Sequence, residues 1–121
     1  MGGEDTRLES LELARRVVDI VVEKMGSDVV LMEIGKLSNI ADYFVICTGQ
    51  TDRQLDAIVR DLRTQLKKEG HQPAGVEGKP SSGWVLLDCG DVVVHVFAPA
   101  KREYYRLERL WSDAKTILRV A

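Results

Sequence analysis

The stretch Trp84-Val-Leu-Leu-Asp-Cys-Gly-Asp-Val-Val-Val-His-Val-Phe97 decides how this chain is read. Two runs rich in apolar and β-branched residues flank Cys89-Gly90, and glycine accepts the positive φ that the second position of a tight two-residue turn prefers. The pattern predicts a β-hairpin. With Cys89 and Gly90 as its turn, Asp88 faces Asp91, Leu86 faces Val93 and Trp84 faces His95, all on one side of the sheet. The opposite side carries Val85, Leu87, Val92, Val94 and Val96, uniformly apolar and suited to packing against helices. The first side mixes an indole, two carboxylates and an imidazole, and is expected to be amphipathic and accessible.

Upstream, Leu8, Leu11, Ala14, Val18, Val21 and Met25 recur at helical spacing, with Val17, Ile20 and Val22 widening the stripe. Thr6 and Glu9 fit a capping box at the start of that helix, and Gly26 stands at its end. Residues 29–34 and 43–48 read as strands. A second helix follows, opened by Thr51 and Gln54, striped by Leu55, Ile58, Val59, Leu62 and Leu66, and closed by Gly70. Residues 71–83 read as a long loop, a candidate working region. Downstream of Pro99, the spacing of Tyr104, Leu107, Trp111, Ala114 and Leu118 predicts a third helix docked by that stripe. Tyr105 lies off the stripe and is placed to extend the hairpin face.

With 121 residues, 45% apolar and 30% charged, the chain suits one domain, 1–121, with residues 1–5 expected to be disordered. Apolar runs fall far short of the roughly 20 residues that span a bilayer, and no charged-then-apolar leader is visible, so a cytoplasmic protein without a membrane segment is expected. Cys47 and Cys89 are too few for a disulfide scaffold or a four-cysteine zinc site and read as reduced core thiols. Residues 1–99 carry 11 Lys and Arg against 16 Asp and Glu, whereas residues 100–121 carry 6 against 3. An acidic body is a poor footprint for phosphate and suits a basic protein partner better. In the basic tail, Lys101, Arg102, Arg106, Arg109, Lys115 and Arg119 either solvate the last helix or add a peripheral, salt-dependent contact to phosphate.

The residues offer little for catalysis. Asp42, Asp88 and Asp91 lie near strand ends and have the oxygen ligands a magnesium ion takes, yet carboxylates beside turns are far more often turn formers or solvated groups. Gly75 to Ser82, GVEGKPSS, fails as a phosphate loop because two residues separate its glycines and Pro80 follows Lys79. Zinc-hydrolase and serine-hydrolase motifs are missing. His95, among carboxylates, is expected to have a raised pKa. Trp84 is the interface anchor these residues suggest, with a tryptophan capping the core edge as the plainer alternative, and a homodimer seam on the hairpin face is a further reading.

Four segments carry a resemblance: ADYFVICTG (41–49), GVEG (75–78), GWVLLDCGDVVVHVF (83–97) and REYYRLERLWSDA (102–114). Together, in order and spacing, they resemble the ribosomal silencing factor family, also called RsfS or Iojap. The resemblance implies an α/β (α+β) domain with a mixed sheet flanked by helices, like a nucleotidyltransferase core that lacks the catalytic Gly-Ser turn and Asp-x-Asp pair. It implies no enzymatic activity, no cofactor and no metal. The partner it implies is ribosomal protein uL14 of the large (50S) subunit, with joining of the small (30S) subunit blocked and translation repressed when nutrients are short. Combined with the hairpin reading, it assigns Trp84, Leu86, Asp88, Asp91, His95 and Tyr105 to the uL14 interface. The alternative is a nucleotidyltransferase-like, metal-dependent enzyme built on Asp42, Asp88 and Asp91.

Overall fold

A computed structural model describes residues 3–120, with side chains from residue 9 onward. Six strands form one mixed sheet in the order β3-β4-β5-β2-β1-β6. In chain order the elements are α1 (Gly3–Glu23), β1 (Ser27–Glu33), β2 (Tyr43–Thr48), α2 (Asp52–Lys68), β3 (Gly75–Glu77), β4 (Trp84–Asp88), β5 (Val92–Phe97), α3 (Pro99–Tyr105), α4 (Leu107–Leu110) and β6 (Lys115–Val120). Only β2 and β5 run parallel, and every other neighbouring pair is antiparallel. These two central strands are buried along their whole length, which is why YFVICT and VVVHVF read as continuous runs rather than alternating ones.

The two faces of the sheet are covered unequally. On one, α1 and α2 pack over Val29, Leu31, Val45, Cys47 and the Val85, Leu87, Val92, Val94, Val96 set. The α2 stripe is buried as its spacing predicts, and the Thr51 hydroxyl accepts the Gln54 N–H at 3.1 Å. The reciprocal bond of a capping box is displaced by one residue, since the Gln54 side chain accepts from the Gln50 N–H. Helix α1 begins at Gly3 and runs through Thr6, so Thr6 is not at its start; the Thr6 and Leu8 side chains lie outside the described residues, as do Met1 and Gly2. It also stops at Glu23, which leaves Met25 exposed in the following turn.

On the other face, Val30, Met32, Ile34, Phe44, Ile46, Val93 and Phe97 form a smaller cluster. Leu107, Trp111 and Ala114 cover only part of it. Here the sequence expectation of one long third helix fails. Arg106 adopts φ 45°, a left-handed conformation that ends α3, α4 lasts four residues, and the chain then extends into β6 against β1. Leu118 therefore sits on an edge strand, where Lys115 and Arg119 guard the open edge. The 71–83 loop also contains structure, because Gly75–Glu77 pairs with Leu86–Asp88 as β3.

Arg102 anchors the C-terminal segment. Its Nη1 donates to the Asp28 carbonyl at 2.5 Å and the Thr48 hydroxyl at 2.9 Å, while Nε lies 3.3 Å from Glu108 Oε2. One guanidinium thus joins α3 and α4 to the ends of β1 and β2. Arg102→Ala should lower the stability measured by urea unfolding by about 2 kcal/mol, because the buried Thr48 hydroxyl and the half-buried Glu108 carboxylate lose a charged donor. Arg102→Lys should recover only part of it, since an ammonium lacks the planar fork.

Candidate functional site

The hairpin turn lies one residue further along than its sequence suggests. The Cys89 N–H donates to the Val92 carbonyl at 2.9 Å, so Gly90 and Asp91 form the turn, with Gly90 at φ 81°. The Asp88 carboxylate, accepting the Gly90 N–H at 2.8 Å, draws the turn to that position. Trp84 consequently faces Phe97, Leu86 faces His95 and Asp88 faces Val93. Each pairing has moved by two residues, and because strand side chains alternate with period two, the face assignment survives.

On this face the aromatic rings interlock. Trp84 stacks on Phe97 with centroids 4.9 Å apart and meets Tyr105 at 4.6 Å. His95 meets the edge of Phe44 at 4.6 Å, and Phe44 meets Trp111 at 5.6 Å. Beside them opens a groove of about 800 Å³ whose apolar lining includes Ile40, Val76, Trp84, Leu86 and Trp111, with Glu77 and Asp88 on its wall. Ile40 is 66% exposed, so an apolar rim stands uncovered.

Trp84, Leu86, Asp88 and His95 all line this groove, and Tyr105 packs against Trp84 beside it. Asp91 does not join them. Its carboxylate accepts from the Ser10 hydroxyl of α1 at 3.1 Å, and its carbonyl accepts the Asp42 and Tyr43 N–H groups, which makes it a corner that ties the hairpin to α1 and β2. His95 is not accessible either: it is 4% exposed beneath its aromatic neighbours. Burial pushes its pKa down to about 4, the reverse of the expected rise, because desolvation disfavours the charged imidazolium. Ile40, Phe44, Val76, Glu77, Leu107 and Trp111 also line the groove and were not assigned to it from sequence. GVEG held the signal for Val76 and Glu77, whereas nothing local marks Ile40.

The basic tail is divided by the fold. Arg102 is turned inward on Asp28, Thr48 and Glu108, Arg106 pairs with Glu103, and Lys115 and Arg119 lie on β6 rather than on a helix. Lys101 and Arg109 remain exposed, the former over the Tyr104 ring at 5.8 Å. The three aspartates of the enzyme alternative are dispersed: Asp42 lines a separate pocket with Glu33 and Lys36, Asp88 caps the turn and Asp91 holds Ser10. Among the described residues no group of three or more His, Cys, Asp or Glu side chains is placed to hold a metal ion. Burial raises the thiol of Cys47 to about 12 and that of Cys89 to about 11, so both are protonated at neutral pH. No helix among the described residues is long and apolar enough to cross a membrane.

Fold and groove together define a single α+β domain with a mixed sheet, one face packed under helices and the other carrying a partly open aromatic groove. A family model described as "Ribosomal silencing factor during starvation" matches residues 7–120, and the chain belongs to that family. It is 40% identical over 110 residues to ribosomal silencing factor RsfS of Halalkalibacterium halodurans, covering 91% of this chain and 94% of that one. It is 45% identical over 92 residues to RsfS of Bacillus subtilis, covering 76% and 78%. A crystal structure of a protein from Chromobacterium violaceum superposes with a TM-score of 0.81 at 35% identity, covering 84% of this chain and 85% of that one.

Proposed function

We propose that this chain docks through the Trp84 groove on ribosomal protein uL14 of the large ribosomal subunit and sterically blocks joining of the small subunit. Translation is thereby repressed when nutrients are limiting, in the cytoplasm. The observation that carries this reading is the groove itself, an uncovered apolar and aromatic surface with Glu77 and Asp88 on its wall, on a member of a ribosomal silencing family. A ribosomal protein surrounded by RNA presents Lys and Arg to those carboxylates, while Trp84 and Leu86 supply the apolar centre. The step requires no bond chemistry: a bound domain occupies volume that the other subunit needs, so inhibition follows affinity and concentration. Exposed Lys101 and Arg109 add a peripheral, salt-dependent attraction to rRNA.

Sucrose-gradient sedimentation of purified subunits, at magnesium levels that favour joining, tests this directly. With excess protein the joined peak should shrink and the protein should travel with the large subunit. Protein left at the top of the gradient over an unchanged joined peak would overturn the reading.

A further inference from the structure

The groove contains one polar group that the chain leaves without a partner. His95 is 4% exposed, and its Nδ1 lies 3.2 Å from Trp84 Nε1. An indole N–H can only donate, so Nδ1 accepts, the ring is neutral, and its proton resides on Nε2. Among the described residues that Nε2–H has no acceptor, and it is shut off from bulk solvent. Buried donors are almost always satisfied, and an orphan at a binding surface discriminates between partners that supply its missing bond and partners that do not.

We propose that His95 is a specificity determinant of the groove, its Nε2–H donating to an uncharged oxygen, a main-chain carbonyl or a hydroxyl, that the docking protein inserts into the groove past the half-buried side chain of Leu86, the cross-strand partner of His95. This rests on the groove being the ribosomal docking face. The oxygen is uncharged because Glu77 and Asp88 line the same groove and repel a carboxylate. Lys and Arg side chains are excluded for the opposite reason, having no lone pair to offer. They suit the two carboxylates instead, so the inserted segment carries an apolar side chain for Trp84, a neutral oxygen for His95 and a cation beside it. Side-chain rotation of the order needed to admit that oxygen is common where proteins meet.

Two substitutions separate the nitrogens. In His95→Asn the amide oxygen falls close to the place of Nδ1 and keeps the Trp84 N–H satisfied, with nothing at Nε2. In His95→Gln the amide N–H reaches toward the place of Nε2, while the acceptor beneath Trp84 is lost. Co-sedimentation with purified large subunits should show the Asn variant binding about tenfold more weakly than wild type and the Gln variant closer to wild type, with circular dichroism confirming the fold of each. Asn binding as tightly as wild type would overturn the proposal while leaving the docking face intact. Wild-type protein that fails to co-sediment would overturn the docking reading and this one with it. Nitrogen-15 NMR of the wild-type imidazole provides a readout that needs no variant. The free protein should show the Nε2–H tautomer, and isolated uL14 should move that proton downfield and slow its exchange. An Nδ1–H tautomer, or a proton resonance unmoved in the complex, would refute it.

Discussion

Trp84→Ala should weaken co-sedimentation with the large ribosomal subunit by about 100-fold, equivalent to about 3 kcal/mol, the cost of truncating a central aromatic anchor. The indole is half-buried in the free chain, stacked on Phe97 and flanked by Tyr105, so its orientation is set before any partner arrives. A preordered aromatic spends little entropy on docking. Truncation also removes packing over Phe97 and the hydrogen bond to His95, so the variant loses stability as well. Trp84→Phe separates the two effects. It keeps a ring against Phe97 but drops the indole N–H and part of the contact area, and should bind about tenfold more weakly than wild type while its stability falls between wild type and the Ala variant. Binding of the folded Ala variant at wild-type strength would remove the groove as the docking face.

The reliability of that face comes from period-two alternation. The hairpin register differs from its sequence reading by two residues, yet Trp84, Leu86 and His95 remain on one side. A slip of one residue would have exchanged the faces entirely. The strand 43–48 was legible to the residue because it is central, and a strand buried on both faces must be apolar throughout. Asp91 was misplaced for the converse reason. At a turn, alternation ends, and the choice between Cys89-Gly90 and Gly90-Asp91 depended on the Asp88 carboxylate capping Gly90.

The C-terminal segment was illegible for a different reason. Tyr104, Leu107, Trp111, Ala114 and Leu118 fall at helical spacing by coincidence, because Arg106 breaks the helix between Tyr104 and Leu107 and α4 ends at Leu110. Thr116, Ile117 and Val120 carried a β signal, but the pairing with β1 that realises it lies some 85 residues away in sequence. β3 had even less to show, with Val76 its single apolar side chain. The burial of His95 follows from the same non-local events, since Phe44 comes from β2 and Trp84 from β4. No local pattern reveals that a histidine flanked by valines lies under aromatic rings supplied by other elements.

That burial makes folding sensitive to acid. Between pH about 6.5 and about 4, stability should fall by about 3 kcal/mol on account of His95. Above the ordinary pKa of 6.5 the imidazole is neutral in both folded and unfolded chains, and the full stability is present. Below it, the unfolded chain binds a proton that the folded core refuses, so stability drains away until the pH passes through the folded value near 4. The ring neighbours Phe44, Trp84 and Phe97 do not titrate, and the carboxylates of Glu77 and Asp88 line the same groove. Glu69, held low by its surface pairing with Arg16, acts in the same direction but in a more acidic range. His95→Phe isolates the imidazole: urea unfolding from pH 7.5 to 4.5 should give a steep wild-type curve and a nearly flat variant curve. Parallel curves would mean that His95 is not held neutral by the fold. The same neutrality is what leaves a lone pair on Nδ1 for Trp84 and a proton on Nε2 for a partner, since an imidazolium would present two donors and could not accept the indole N–H.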